Sequence, residues 1–133
     1  MVELEVLCFP PPTNYDLRTL RNFCSINGSL VFRIYPLDEP TRLVAFHIAD
    51  TLFGELITLD VHPDFRRRGL GKWLVEQSLA TLKKAGHGEA TCQIATGNEA
   101  SLVLHAALGF VKRKRFKNYY GPGHDAFVLR AKL

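Results

Sequence analysis

Residues 61–74 have the sequence Val-His-Pro-Asp-Phe-Arg-Arg-Arg-Gly-Leu-Gly-Lys-Trp-Leu, in which a basic loop with two glycines joins an apolar segment to an amphipathic one. The apolar segment that ends at Val61, with Leu56, Ile57 and Leu59, has the pattern of a buried strand. The run Leu70–Leu82 has the period of a helix. A helix that begins in a tight loop presents unpaired backbone N–H groups and its positive dipole end, and Gly69 and Gly71 let a ligand approach that backbone. The stretch therefore predicts a site for a phosphorylated ligand.

Two well-known phosphate loops do not fit this stretch. A Walker loop requires Ser or Thr after Gly-Lys and an earlier glycine, but Trp73 follows Lys72 and Arg66 holds the earlier position. The dinucleotide fingerprint requires a third glycine where Leu74 is found. The run Arg66–Arg68 by itself also fits a solvated basic turn or a nucleic-acid patch, but its place between a strand and a helix favours the phosphate site.

The rest of the chain contains strand-like and helix-like segments in a mixed order. Strands are predicted at Leu4–Phe9, Leu30–Tyr35, Leu43–Ala49, the segment that ends at Val61, Ala90–Ala95, Phe110–Phe116 and Ala126–Leu133. Helices are predicted at Tyr15–Cys24 after a Thr13 or Asn14 cap, at Leu70–Ala85 and at Glu99–Leu108. This order indicates an α/β (α+β) fold with a mixed, mostly antiparallel central sheet of about seven strands flanked by helices. A length of 133 residues suits a single domain, residues 1–133.

Two segments of the chain resemble the GNAT acetyltransferase superfamily. Arg66–Gly71 matches the (Gln/Arg)-x-x-Gly-x-(Gly/Ala) loop that holds the coenzyme A pyrophosphate in that family, and residues 98–110 are similar to its Asn-x-x-Ala-x-x-x-Tyr-x-x-x-Gly-Phe segment. The resemblance implies a GNAT fold and acetyl coenzyme A as the acetyl donor. The residues it implies for coenzyme A binding are Leu59, Asp60, Val61, Arg66, Arg67, Arg68, Gly69, Leu70, Gly71, Lys72 and Asn98. Asn98 is also suited to cap the helix that follows it.

His105 occupies the position at which many members of this family have a tyrosine that donates a proton to the leaving thiolate. A thiol has a pKa of about 8.5 and an imidazolium one of about 6.5, so a protonated His105 can donate to the departing sulfur. We therefore expect His105 to be the general acid. Packing or helix capping is the alternative role for a single histidine on a helix.

Residues 54–133 are similar to bacterial ribosomal-protein alanine N-acetyltransferases. In that group a Tyr-Tyr pair helps form the wall of the peptide N-terminus site, and the resemblance assigns this role to Tyr119 and Tyr120. The catalytic glutamate of the group, five residues before Asn98, is Gln93 in this chain. A glutamine amide has no carboxylate to act as a base, so that base has been lost or replaced.

Glu55 is the expected replacement, since it lies where histone-type GNAT enzymes carry their glutamate on the central strand. Strict alternation along the strand predicts that Glu55 shares a face with Ile57, Leu59 and Val61, where apolar neighbours would raise its pKa. A solvated position at the strand end is the alternative. An α-amine with a pKa of about 8 loses its proton more easily than a lysine at about 10.4, which favours an N-terminal acceptor.

The composition of the chain indicates the cell compartment and the kinds of partner to expect. The net charge of +4 suits a polyanionic cofactor as well as a nucleic acid. Its three widely spaced cysteines form neither a disulfide framework nor a zinc pattern, and its five histidines lack short-range ligand spacing, so we expect a reducing cytoplasm and no metal. No apolar run is long enough to span a membrane, and we expect no membrane partner.

The segment Lys112–Lys117 supports a different class of protein, because five of its six residues are basic. On a strand, alternate residues point to opposite faces, so this charge is divided between two sides. That division favours a solvated sheet edge over recognition of RNA or of an acidic peptide. A homodimer is compatible with the GNAT resemblance.

The implied reaction is direct transfer of the acetyl group from acetyl coenzyme A to a primary amine, with a protein or peptide N-terminus as the leading acceptor. Backbone N–H groups near Leu59–Val61 would stabilise the oxyanion, and no acyl-enzyme is expected because no cysteine lies in a Cys-His arrangement. The alternatives are a small-molecule amine acetyltransferase and a non-catalytic module that binds acyl coenzyme A or RNA.

Overall fold

The computed structural model describes all residues of the chain, Met1–Leu133. Four helices are present, namely α1 (Val2–Cys8), α2 (Leu17–Ser25), α3 (Leu70–Lys84) and α4 (Glu99–Ala107). The strands are β1 (Ser29–Ile34), β2 (Ala45–Asp50), β3 (Glu55–Val61), β4 (Glu89–Ala95), β5 (Val111–Phe116) and β6 (Ala126–Lys132). They form one six-stranded sheet in the order β1-β2-β3-β4-β6-β5, in which only the β3–β4 pair is parallel. The predicted mixed, mostly antiparallel sheet with flanking helices is confirmed.

The sheet has six strands instead of the predicted seven because the first segment is a helix. In Val2–Cys8 apolar and acidic residues alternate at first, which is typical of a strand, but the segment forms α1 and buries Leu4 and Glu5. Leu4 packs with Leu20, Phe46 and Ile48, so contact with the sheet face decides the conformation. The predicted strand at Leu4–Phe9 is therefore wrong.

The second helix begins later than predicted. Asp16, and not Thr13 or Asn14, is its N-cap, and the Asp16 carboxylate accepts a hydrogen bond from the Thr19 N–H at 2.8 Å. Asp16 is well suited to this position, because its short acidic side chain satisfies a free N–H and favours the positive end of the helix dipole.

Helices cover both faces of the sheet. On one face, Val75 and Leu82 of α3 are buried with Leu56, Cys92 and Leu129 of the central strands. On the other face, α1 and α2 cover Phe46 and Ile48 of β2. At the far edge, β5 is exposed along its whole length, as expected for a basic, solvated edge strand.

The central strands β3 and β4 separate soon after they meet. β2 and β3 pair along their length, but β3 and β4 are paired only at Glu55–Thr91 and Leu56–Cys92. The β2–β3 register shifts between Ile48 and Ala49, and such a bulge bends and twists the local strand pair. The separation opens a gap in the middle of the sheet.

The same register shift breaks the side-chain alternation predicted for β3. Ile57 packs against the cluster under α1 and α2, whereas Leu59 packs against the cluster under α3. A residue added on one strand reverses the faces of the residues that follow it. The expectation that Glu55, Ile57, Leu59 and Val61 share one face is therefore wrong.

Candidate active site

The gap between β3 and β4 is a cleft that reaches both faces of the sheet. Residues 56–59 of β3 and 92–95 of β4 form its walls, and Asn98, Ser101 and His105 close it on the side of α4. Glu5, Phe9, Thr13, Tyr15 and Tyr120 line it from the opposite face, where α1 and the loops around it lie. The cleft contains about 540 Å³ of space free of protein atoms, part of it open to solvent.

The predicted anion loop lies behind the β3 wall of this cleft, where Gly71 approaches Leu59. Gly69 is the N-cap of α3 and has φ +81°, a conformation that residues with a Cβ rarely adopt. The first helical hydrogen bond runs from the Trp73 N–H to the Gly69 carbonyl at 3.0 Å. The N–H groups of Leu70, Gly71 and Lys72 precede that bond and belong to the open first turn. The loop thus has the backbone geometry that an anion requires.

Gly71 places the first turn of α3 close to β3 and α4. A Cβ at this position would lie 3.3 Å from Leu104 Cδ2 and 3.7 Å from Leu59 Cδ2. A β-branched side chain would need α3 to move away from the strand. The second glycine of the loop therefore permits close packing, and the first permits the left-handed backbone conformation.

The three arginines of the loop have different environments. Arg66 Nε donates to the Val61 carbonyl at 3.0 Å, and Arg68 Nη2 donates to the Asp64 carbonyl at 3.3 Å while its guanidinium stacks on Phe65. Arg67 is exposed and has φ 60°, in the left-handed region. Two arginines thus contact the loop itself, and all three leave positive charge at its surface.

The backbone of β3 presents donors to the cleft beyond the point where the strands separate. His62 donates its N–H to the Val44 carbonyl at 2.8 Å, next to the Ala45–Val61 pair of the β2–β3 ladder. Because antiparallel residues face their partner strand alternately, the N–H groups of Leu59 and Val61 point away from β2, toward the gap. The side chain of Asp60 lies on the opposite face and is buried. For Asp60, only the backbone can contribute to the predicted donor site.

Asn98 and His105 bring α4 into the cleft. Asn98 caps the helix, with its Oδ1 accepting from the Ser101 N–H at 3.2 Å, and it also lines the cleft. His105 Nδ1 donates to the Ser101 carbonyl at 2.8 Å, and its ring packs edge-on against Phe110. The neutral ring therefore carries its proton on Nδ1 and has a lone pair on Nε2.

Burial lowers the pKa of His105, and the hydrogen bond to Ser101 offsets only part of this effect. The imidazole is consequently neutral at physiological pH. An Nε2 without a proton cannot donate one, so a general acid at this position must first receive its proton during the reaction.

Glu55 and Gln93 lie on adjacent strands at the end of the cleft where β3 and β4 are still paired. Burial raises the pKa of Glu55, an interaction with the Gln93 side chain lowers it, and the charge of Asp50 raises it again. Glu55 is only half-buried and does not line the cleft itself. Its carboxylate also raises the pKa of Tyr119.

Tyr119 and Tyr120 lie on the loop between β5 and β6. Their rings pack edge-to-face with centroids 4.8 Å apart, and Tyr120 lines the cleft while Tyr119 is largely exposed. Asp125 holds the loop closed, accepting from the Asn118 N–H at 2.8 Å and pairing with Arg115 at 2.8 Å. Both tyrosines thus lie at the α1 side of the cleft, opposite the anion loop.

Several residues that line the cleft have no signal in the sequence. His47 of β2 is 1% exposed, its Nδ1 donates to the Thr58 carbonyl at 2.7 Å, and its Nε2 has no partner. Burial lowers the pKa of His47 to about 4 and keeps the ring neutral. Glu5 and Tyr15 belong to segments that the sequence places in a strand and at a helix start. A single isolated His, Glu or Tyr has no spacing pattern, so only the fold identifies these positions.

No helix is both long and apolar enough to span a membrane. No group of three or more His, Cys, Asp and Glu side chains is arranged to hold a metal ion.

A sheet split by a cleft, with an anion loop at one side, is the architecture of an acyl-coenzyme A-dependent transferase. The family model described as FR47-like protein matches residues 34–120. The [Ribosomal protein bS18]-alanine N-acetyltransferase of Salmonella typhimurium is 33% identical over 99 residues, 71% of this chain and 67% of that protein. The chain belongs to the FR47-like family of GNAT acetyltransferases, and both resemblances predicted from the sequence are confirmed.

Other relatives agree with this assignment. N-alpha-acetyltransferase MAK3 of Arabidopsis thaliana is 29% identical over 119 residues, and the match spans 87% of this chain but only 63% of that protein. The crystal structure of the ribosomal-protein-S18-alanine N-acetyltransferase from Escherichia coli superimposes with a TM-score of 0.82 and 23% identity, covering 98% of this chain and 84% of that one. This similarity confirms the GNAT fold.

Proposed function

We propose that the protein transfers the acetyl group of acetyl coenzyme A directly to the α-amine of a protein or peptide. One observation carries this proposal: a single cleft is lined by Tyr120 on the α1 side and by Leu59 of β3, and Leu59 approaches Gly71 of the anion loop. The activities named for the relatives, N-alpha-acetyltransferase and alanine N-acetyltransferase, favour a terminal amine as the acceptor.

The donor would bind along the α3 side of the cleft. Its pyrophosphate would receive hydrogen bonds from the N–H groups of Gly69–Lys72, and the adjacent arginines would add positive charge. Asn98, at the start of α4, would contact the pantetheine arm. The thioester carbonyl would then lie in the gap, where the N–H groups of Leu59 and Val61 are the available donors for the oxyanion.

The acceptor would enter between Tyr119, Tyr120 and the loop after α1. Its neutral amine attacks the thioester carbonyl and forms a tetrahedral intermediate with a positively charged nitrogen. His105 Nε2 takes a proton from that nitrogen and gives it to the leaving thiolate as the C–S bond breaks. This sequence uses the neutral state in which His105 is found.

Glu55 would contribute a negative charge near the acceptor opening. Its raised pKa and its position beside Tyr119 suit a group that attracts an ammonium ion before the amine loses its proton. An α-amine, with a pKa of about 8, needs less assistance in this step than a lysine side chain.

The test combines donor binding with turnover. Isothermal titration should detect binding of acetyl coenzyme A, and a panel of peptides with free N-termini should release coenzyme A thiol. Peptides with a blocked N-terminus and an internal lysine are the matched controls and should release none. Donor binding without turnover on any peptide or small amine would favour a coenzyme A sensor, and absence of donor binding would contradict the proposal.

A further inference from the structure

Two buried carboxyl groups meet beside the cleft, one from α1 and one from β3. Glu5 and Asp60 are both 0% exposed. The Thr58 hydroxyl donates to Asp60 Oδ1 at 2.7 Å and lies 3.4 Å from Glu5 Oε2. The Tyr15 N–H donates to Glu5 Oε1 at 2.9 Å. We refer to these two carboxyl groups as the Glu5–Asp60 pair.

The surroundings of the Glu5–Asp60 pair favour one bound proton. Burial raises the pKa of Asp60 to about 9, with further contributions from its hydrogen bond to Glu5 and from the Glu5 charge. Burial also raises the pKa of Glu5. Asp60 Oδ2 is buried and has no hydrogen-bond partner, which fits a neutral carboxyl at this position. Because two neighbouring buried carboxylates repel each other, we place the proton on Asp60, whose Oδ2 has no partner, and the charge on Glu5, which accepts the Tyr15 N–H.

The position of Glu5 gives the Glu5–Asp60 pair a chemical role. Glu5 lines the cleft and is the only carboxyl group that does so. Thr58, Gln93 and Tyr120 line the same cleft. Gln93 occupies the middle of the β4 wall and cannot accept a proton. A base that serves the acceptor side of this cleft must therefore come from another element, and α1 supplies the available carboxylate.

We propose that Glu5, held by Thr58 and Asp60, is the general base that accepts a proton from the acceptor ammonium before attack. This inference rests on the proposed function. In this step one N–H bond of R–NH3+ breaks, the Glu5 carboxylate becomes a carboxylic acid, and the amine lone pair becomes free to attack. Glu5 later returns this proton to solvent through the cleft. The second amine proton leaves with the thiol, so each turnover releases one proton.

Among the titratable groups around Glu5, Asp60 has the largest effect on the pKa of Glu5. Burial raises the pKa of Tyr15 and of Tyr120, so both phenols face the carboxylate in neutral form. Cys8, on the same helix, has its pKa raised by burial and by Asp60. The Met1 amino group lowers the pKa of Asp60, but less than burial raises it.

The first test compares Glu5→Gln with Glu3→Gln, a change of the same kind at an exposed position of the same helix. The assay is kcat/KM for the peptide that the full-length wild-type protein acetylates fastest. Glu5→Gln should lower this value about 100-fold at neutral pH. The deficit should shrink at least about tenfold as the pH rises past about 8, where the α-amine is already neutral. Glu3→Gln should match the wild type throughout.

Three results separate the possible failures. A Glu5→Gln protein as active as Glu3→Gln overturns the role of Glu5, and so does a deficit that stays constant with pH, which indicates a structural role. A wild-type protein that binds acetyl coenzyme A but acetylates no peptide contradicts the proposed function itself, and the role of Glu5 falls with it.

Asp60→Ala provides a second test that leaves Glu5 in place if Glu5→Gln fails to fold. It removes the O–H donor that stabilises the Glu5 carboxylate, so the pKa of Glu5 should rise further. The acidic limb of the kcat profile should move to higher pH by about one unit. An unshifted limb in the folded Asp60→Ala protein contradicts the proposal.

Discussion

The two sides of the cleft are built in different ways. On the α3 side, one continuous segment, residues 66–72, forms the anion loop with backbone N–H groups and glycines. On the α1 side, the lining comes from α1, from the loop after it and from the β5–β6 loop, and it consists of side chains. A site made of backbone depends on conformation and tolerates many side chains. A site made of side chains from distant segments changes whenever one of them is replaced.

The largest expected effect tests whether proton transfer in this cleft depends on a single side chain. His105→Gln should lower kcat about 100-fold or more, because the amide cannot carry a proton to the thiolate. The dissociation constant of acetyl coenzyme A should change much less, since the proposed function places the donor on the backbone loop and not on His105. Steady-state kinetics and isothermal titration measure the two quantities.

Val103→Ala is the control for this change, since Val103 is exposed on the same helix. It should leave both quantities unaltered. Equal losses in kcat and in donor affinity for His105→Gln would show that the histidine has a packing role.

A change in the anion loop should mainly affect the donor. In Gly71→Val the added side chain meets Leu104 and Leu59 and separates α3 from β3. Overpacking of this kind costs about 1–3 kcal/mol, equivalent to an increase of about 5-fold to 150-fold in the dissociation constant of acetyl coenzyme A if donor binding bears the cost. Gly88→Val is the matched control, because a Cβ at Gly88 meets nothing within 4 Å. An unchanged dissociation constant in Gly71→Val would show that the loop does not hold the donor.

On the α1 side of the cleft, the Asp60 carboxyl should make the free energy of unfolding depend on pH. The folded-state pKa of Asp60 is about 9, above an unfolded-state value of about 3.9, so the folded protein binds more protons between these limits. Its contribution to the free energy of unfolding is therefore largest at low pH and declines as the pH rises toward 9. Asp60→Asn removes this titration and should flatten the decline in urea melts recorded across that range. A slope identical to that of the wild type would mean that Asp60 is ionised when folded.

The smallest effect is expected from Arg67→Ala. Arg67 is exposed, and an exposed charge contributes about 1 kcal/mol or less, so the affinity for acetyl coenzyme A should fall by about fivefold at most. Most of this loss should disappear at high salt, because exposed charges are screened. A loss as large as that of Gly71→Val would assign the anion to the arginines instead of the backbone.

The geometry of the α3 side was predictable because it is local. The spacing of Gly69 and Gly71 between a strand and a helix restricts the backbone directly, and Asn98 is a cap that a short segment determines. The acceptor side was only partly predictable. The resemblance indicated Tyr119 and Tyr120, whereas Glu5 lay in a predicted strand and His47 had no pattern around it.

The failed predictions for α1 and β3 have a common cause. Both rested on local periodicity, and both were overridden by contacts between distant segments. Leu4 packs on Phe46 and Ile48, which makes its segment helical, and the register shift opposite Ile48 turns Ile57 and Leu59 to different faces. Local patterns carry no information about such partners.

The sequence by itself determined the family, the order of nearly all elements and the anion loop, because these depend on residue type at short spacing. Only the tertiary structure decided which side chains line the acceptor side of the cleft and which protonation state they hold. The burial of Glu5 beside Thr58 and Asp60 brings together segments far apart in the chain, and burial sets the proton affinity of these carboxyl groups.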